Sequence, residues 1–288
     1  MSAPPSPGSP SGGRGDAGLA VARRADILRA VNATGQARVA ELARRLAVSE
    51  MTIRRDLDEL EQRGLVHKVH GGAVPAGGSA EDPGFARKSQ LEKAEKLAIA
   101  EAASYLVEAG MSLILSAGST TWYLAGLLRD VPALTIVTNS PTVAMAIHEP
   151  ATPGQQVVLT GGAYRTPSDA LLGPLAESTL TSVHADLLFL GIHGFDLDRG
   201  LSAPTLAEAS VDRVMIDQAD RVVVLADHTK AGTAGFAAVA PLDEVDLLIT
   251  GCALEAEWQR TLAEQVRALR LVDPADHDDT AASASDRP

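Results

Sequence analysis

Two sets of residues in this 288-residue chain have the types and spacing to do chemistry. The first is a series of turns: Gly118-Ser119-Thr120-Thr121, Thr138-Asn139-Ser140, Gly161-Gly162 and Asp227-His228-Thr229-Lys230. A Gly-Ser-Thr turn opening a helix offers free backbone N–H groups and hydroxyls, which hold a phosphate without a dedicated lysine. The helix end contributes about 0.3 to 2 kcal/mol toward an anion, so hydroxyls and a cation must supply the rest. Lys230 is the obvious cation, and Asn139, Asp196 and Asp227 are suited to bonding hydroxyl groups. Taken singly, the first turn is equally well ordinary helix capping, and Asp227 to Lys230 equally well a surface turn with an ion pair. All four turns, however, follow runs that read as β-strands, where a parallel sheet places its ligand site.

The second set is cationic. Thr52, Arg54 and Arg55 lie near the start of a segment whose Ile53, Leu57 and Leu60 recur at helical spacing. Ser49 is a suitable N-cap and Gly64 a suitable C-terminal cap, so this helix is predicted from about Glu50 to Arg63. Val39, Leu42, Ala43 and Leu46 stripe a helix before it, and Ile27, Leu28 and Val31 one before that. Only Ala47-Val48-Ser49 joins the last two helices, which forces a steep crossing of the helix-turn-helix kind. The outer N-terminal end of such a second helix meets base edges or phosphates in a major groove. Leu65 to Ala73 alternates and ends in a double glycine, as the wing of a winged helix would, and places His67, Lys68 and His70 over a sugar-phosphate backbone. A plain amphipathic bundle used for dimerisation, or an adaptor binding protein through its basic surface, is the competing reading. It predicts no salt-sensitive DNA binding.

Composition supports two modules. Residues 19–73 hold ten basic against seven acidic side chains, whereas the 215 residues beyond them carry a net −15 of the chain's total −12. Residues 1–18 and 274–288 are polar and poor in apolar content, too little to offset the entropy of ordering, and are expected to be disordered tails. The turn formers of 74–84 mark a linker between a DNA-binding domain (19–73) and a larger domain (85–273). In the latter, strands are predicted at Ser112 to Ser116, Leu134 to Thr138, Gln156 to Thr160, Asp186 to Leu190, Arg221 to Ala226 and Val245 to Thr250. Helices fit at about 88–109, 120–130, 141–148, 205–219 and 255–268. Alternation of this kind indicates an α/β fold with a parallel, Rossmann-like sheet covered on both faces.

Several functions lack their residues. No run reaches the ~18 apolar residues of a membrane span, and the first residues do not resemble a signal peptide. A cytoplasmic protein that does not engage membrane is the expectation. Cys252 alone excludes an internal disulfide framework and a multi-thiolate zinc site, and is expected to be a small buried side chain. His148, His184, His193 and His228 are scattered rather than clustered as a metal site would require. The sequences of a nucleotide loop, a dinucleotide fingerprint, a nucleophile elbow and a zinc-protease helix are absent.

The residues carry a resemblance. Arg24 to Leu28, Val39-Ala-Glu-Leu-Ala43, Val48-Ser49, Thr52-Ile-Arg-Arg-Asp-Leu57, Leu60-Glu61, Gly64-Leu65 and His70-Gly-Gly-Ala73 resemble the amino-terminal signature of the DeoR family of bacterial transcriptional regulators. The resemblance implies that Thr52, Arg54 and Arg55 contact operator DNA; with Ser49 at the helix start and Lys68 and His70 on the wing they make up the expected DNA-binding set. It continues over roughly 85–251, implying a domain similar to the sugar-phosphate isomerase and CoA-transferase folds that binds a phosphorylated sugar as effector, with no cofactor. Gly118, Ser119, Thr120, Thr121, Thr138, Asn139, Gly161, Gly162, Asp196, Glu208, Asp227 and Lys230 match its pattern. Ser116 departs from it, standing where the family usually has Asp. Asp196 and Glu208 also match acidic positions of related isomerases, and a carboxylate beside a phosphosugar can move a proton between carbons, so a sugar-phosphate isomerase is the alternative. A reader fused in front of the domain favours a regulator, a repressor of carbohydrate-metabolism genes. One recognition helix gives limited affinity, so self-association into a homo-oligomer reading two half-sites is expected.

Overall fold

The computed structural model describes residues 14–34, 37–63, 65–69, 71–75, 84–148 and 154–275. The chain forms two units, Met1–Gly78 and Ser79–Pro288. The tails assigned to 1–18 and 274–288 lie largely outside the described residues, although the first helix already begins at Arg14. No helix among the described residues is long and apolar enough to cross a membrane.

The first unit runs α1 (Arg14–Thr34), β1 (Ala37–Arg38), α2 (Val39–Arg45), α3 (Glu50–Gln62), β2 (Val66–Val69) and β3 (Gly72–Pro75). The apolar stripes read from the sequence meet in one core: Ile27, Val31, Val39, Leu42, Ile53, Leu57 and Leu60 are all buried. The α2–α3 turn closes by a local device. Ala47 adopts the left-handed conformation (φ 52°), its N–H donates to Arg44 O, and Val48 N donates to Ala43 O at 3.1 Å. That pair of bonds is the Schellman arrangement without its usual glycine. Ser49 then caps α3, its hydroxyl accepting from Thr52 N at 3.1 Å. β2 and β3 form an antiparallel hairpin, and β3 also pairs with β1. The double glycine belongs to the hairpin rather than to its end: Gly71 takes φ 78°, and a Cβ on Gly72 would sit 2.3 Å from Ala37 O. β3 continues to Pro75, so regular structure runs past the composition break at Val74.

The second unit begins with α4 (Phe85–Lys88) and α5 (Lys93–Ser104). It continues through β4 (Ser112–Leu115), α6 (Ser119–Leu127), β5 (Thr135–Thr138), α7 (Pro141–His148) and β6 (Gln156–Leu159). After β7 (Ala163–Arg165), β8 (Ala170–Leu172) and α8 (Pro174–Leu180) come β9 (Leu187–Gly191), β10 (Gly194–Asp196) and β11 (Gly200–Ala203). The chain ends in α9 (Leu206–Asp217), β12 (Val222–Leu225), β13 (Ala237–Ala240), β14 (Leu247–Gly251), α10 (Ala256–Gln265) and β15 (Leu269–Val272).

A seven-stranded sheet in the order β15-β14-β12-β9-β4-β5-β6 is parallel throughout. Alternate strand residues point to opposite faces. Leu113, Leu115, Phe189, Val223 and Leu225 accordingly enter one apolar core, and Ile114, Leu188, Leu190, Val222 and Val224 the other. Burial on both faces explains why these strands read as unbroken apolar runs.

Three expectations need correction. The helix expected over 88–109 is shorter, α5 at Lys93–Ser104: α4 ends at Lys88, and Glu92, left-handed at φ 49°, breaks the chain before α5. The buried Lys96 ammonium stabilises this break by donating to Lys88 O and Leu91 O, both at 2.6 Å. The β7–β8 hairpin, α8, the small antiparallel sheet β10-β11-β13 and β15 were not anticipated, because runs of three to seven residues carry too little periodicity. Cys252 is exposed, in the turn after β14.

Candidate functional site

At the outer end of α3, Met51, Arg54 and Arg55 are exposed and Thr52 is partly so. Arg54 is held by Glu50 one turn earlier, at 3.0 Å. Ser49 and Thr52 share a hydroxyl contact of 2.9 Å, so both also shape the helix start. Lys68 on β2 is exposed; its ammonium pairs with Asp58 and its N–H donates to Glu61 Oε1. His70 and Gly64 lie outside the described residues, as does the side chain of His67. The sequence did not single out Met51, an apolar side chain 71% exposed on the same helix end. It also grouped together arginines that do different work. Arg23 binds the buried Asp56 carboxylate at 2.5 Å and Arg24 pairs with Glu59, tying α1 to α3 rather than facing solvent.

In the second unit a cavity opens at the carboxyl ends of β4, β5, β9 and β12. The centres of water molecules have about 70 Å³ there, room for several waters or the polar part of a small metabolite, since one water needs roughly 10–15 Å³ on this measure. Gly118, Ser119, Thr120, Asn139, Glu208 and Lys230 line it, six of the twelve residues expected at the ligand. Trp122 N donates to Gly118 O, which starts the helical ladder of α6 and leaves the N–H groups of its first turn without helical acceptors.

The other expected residues act behind this surface. Thr121 is fully buried and donates its hydroxyl to Ser116 O and Gly118 O, closing the turn. Thr138 Oγ1 accepts from Ser140 N below the cavity. Gly161 and Gly162 follow β6 in left-handed backbone, and a Cβ on Gly162 would lie 2.5 Å from Leu172 O. Their role is close packing of the chain. Asp196 Oδ1 accepts from Asp198 N and Arg199 N and holds the β10–β11 turn. Asp227 caps the short 3-10 turn His228–Lys230 and pairs with Lys96 at 3.4 Å. Burial opposes the Asp227 charge, but Lys230, Lys96 and Thr229 outweigh it and its pKa falls below the ordinary value. Asn139, though it lines the cavity, spends its amide on protein: Oδ1 accepts from Ala117 N at 2.8 Å and Nδ2 donates to Leu171 O at 3.4 Å. It positions the phosphate-suited turn.

Ser116, at the family's usual Asp position, accepts the Gly191 N–H at 2.9 Å and joins the ends of β4 and β9. Lys88, Ser168, Gly191, His193 and Asp212 also line the cavity and were not anticipated. Lys88 comes from α4, before the sheet begins. Asp212 follows Glu208 by four residues on α9, a spacing that places two carboxyls on one helix face and was legible in the sequence. Loss of water first, and then the Glu208 charge, push the Asp212 carboxyl up to about 8.

Glu92, Glu95 and His228 bring three possible metal-ligand atoms within 4.8 Å of one another. Glu95 is already committed: Oε1 accepts from His228 N and Gly251 N, and Oε2 contacts His228 Nδ1 at 2.5 Å. The Glu95 contact raises the His228 pKa over the opposing effect of burial. This cluster ties α5 to the strand ends.

A helix-turn-helix unit with a β-hairpin wing, followed in one chain by a parallel α/β unit with an anion-suited cavity, defines a transcriptional regulator with a sensor domain rather than an enzyme. The DeoR-like helix-turn-helix domain matches residues 23–76 and the DeoR C terminal sensor domain residues 91–251, and the chain belongs to the DeoR family. It is 37% identical to the HTH-type transcriptional regulator GlpR of Haloferax volcanii over 239 residues, 83% of this chain and 92% of that one. It is 35% identical to the HTH-type transcriptional regulator GolR of Listeria innocua, covering 79% of this chain and 89% of the relative. Identity to the L-fucose operon activator of Haemophilus influenzae is 32%, over 81% and 93% of the two chains.

Proposed function

We propose that this regulator represses carbohydrate-metabolism genes in the cytoplasm, with operator affinity set by a phosphorylated sugar bound in the cavity of its sensor domain. Arg54 and Arg55 are the phosphate or guanine contacts of α3, Thr52 a flanking hydroxyl, and Met51 an apolar contact for a thymine methyl. Lys68 lies along the backbone from the wing. Two copies, each presenting one such helix, read half-sites about 10 base pairs or a multiple apart.

The observation that carries the sensor half is the convergence of the Gly118-Ser119-Thr120 helix start with Lys88 and Lys230 in one cavity. Backbone N–H groups, two hydroxyls and two ammonium groups are the donor set of a dianion site. The sugar operon in the fucose relative's name agrees with a sugar ligand. Of the two carboxylates the isomerase alternative offers, Asp196 is engaged in the β10–β11 turn, and Glu208, which lines the cavity, is held by Arg165 and Thr205.

The test is titration of hexose phosphates into the protein bound to a labelled duplex selected from random DNA. At least one should shift DNA affinity about 5- to 150-fold, the usual range of allosteric coupling. Lys230→Ala should weaken the response about tenfold, the loss of one charge-assisted contact, while leaving ligand-free DNA binding intact. DNA affinity indifferent to every phosphorylated sugar would sink the proposal.

A further inference from the structure

The cavity holds a carboxyl to which the reading above gives no role. Glu208 and Asp212 stand one turn apart on α9 and both line the cavity. Neighbouring carboxylates on one helix face repel. Glu208 is provided for: Arg165 Nη1 reaches Oε1 at 3.4 Å, and Thr205 Oγ1 donates to Oε2 at 2.9 Å. Asp212 is not. Among the described residues no donor reaches its carboxyl, and the adjacent Arg213 turns to Asp217 and Glu244. Burial first, and then the Glu208 charge, raise the Asp212 carboxyl to about 8, although the cavity leaves it partly exposed. The other titratable groups facing this space are Lys88, His193 and Lys230, with Arg165 acting through Glu208.

This is an unusual lining for a site that takes only an anion. The α6 start, Lys88 and Lys230 attract a phosphate, while the Glu208 charge repels whatever negative group comes near α9. A cation beside the two carboxyls reverses that balance: it favours ionised Asp212 by the same Coulomb attraction that Glu208 denies it. A neutral hydroxyl at that point accepts a bond from protonated Asp212 or donates one to Glu208, but it brings no charge to offset that of Glu208. The cavity is bipolar, and a ligand with a phosphate and an ammonium satisfies both ends.

We propose that the effector is a phosphorylated amino sugar, with its phosphate on the Gly118–Thr120 turn beside Lys88 and Lys230 and its ammonium between Asp212 and Glu208. The inference rests on the cavity being the effector site.

Calorimetric titration of the full chain with glucosamine, galactosamine and mannosamine 6-phosphates, each against its matching hexose 6-phosphate, compares ligands that differ only in an ammonium for a hydroxyl. In at least one pair the amine form should bind about tenfold tighter or more, equivalent to about 1.4 kcal/mol. In Asp212→Asn the ratio for that pair should fall. Equal or weaker binding of the amine in every pair overturns the inference, as does a preference undiminished in Asp212→Asn. The failure of the underlying reading looks different: no phosphorylated sugar of either kind binds, or unphosphorylated glucosamine binds as tightly as its phosphate.

Discussion

The two units handle charge in opposite ways. In the first, the cations assigned to DNA stand in solvent: the Arg54 side chain is 56% exposed and answers only to Glu50. The ion pair that is buried there, Arg23 with Asp56, ties α1 to α3. In the second, charge is drawn inward: Glu208 in the cavity wall is 7% exposed, and behind that surface Asp227 and Lys96 pair almost wholly inside. A surface cation costs its unit little and is available to a large polyanion at once. An inward-facing charge costs its unit stability until something binds, which is the property that lets a small ligand change the state of a domain.

The strongest way to break this comparison is Asp56→Ala. Removing one partner of a buried pair leaves the other uncompensated, so the first unit should lose about 3 to 5 kcal/mol and melt well before the second in a thermal scan. A single unaltered transition would show that the pair is not structural. Arg55→Ala should do the reverse. Operator binding by gel shift should weaken by about 1 to 3 kcal/mol with no change in melting, and a loss of stability would move Arg55 to the wrong side of the contrast.

Asp212→Asn sharpens the other half. A carboxyl whose pKa is raised in the fold binds its proton while the unfolded chain gives it up, so the wild type loses stability as pH rises from the ordinary carboxylate range to about 8. The amide avoids that loss. The variant should gain stability on the order of 2 kcal/mol at pH 8 and nothing near pH 4, read by melting at the two pH values. A gain independent of pH would mean that Asp212 is not held protonated. The smallest effect is expected at Ser49→Ala. Loss of the α3 cap should cost about 1 kcal/mol, with operator binding weakened only as far as the helix start frays.

Much of this was legible in the sequence, for reasons that differ between the units. The reader's helices declare themselves because Val39, Leu42 and Ala43, and Ile53, Leu57 and Leu60, recur at helical spacing around a cap that Ser49 makes. Five of the six expected strands do so because burial on both faces requires continuous apolar runs, while β6 is a half-exposed edge. The Gly118 turn was found because its chemistry is local. Lys88 and His193 were missed because what gathers them is the packing of α4 and the end of β9 on the sheet, contacts distant in sequence, whereas the four-residue spacing of Asp212 from Glu208 was there to be read. The same distance explains why Asp196 and Asp227 looked like ligand residues. Their partners, the backbone of the β10–β11 turn and Lys96, cannot be read from an isolated motif.

The short helix α4 has a consequence for how a message leaves the sensor. It is the first regular structure after the reader in chain order, and it is fastened at three points: Phe85 N to Pro167 O at 2.7 Å, the Phe85 ring edge-on to Trp122 of α6 at 5.9 Å, and Lys88 O to the Lys96 ammonium. Lys88 also reaches the cavity. On the proposed reading, a metabolite that gripped Lys88 would load the first described helix of the sensor, ten residues along the chain from the boundary between the units.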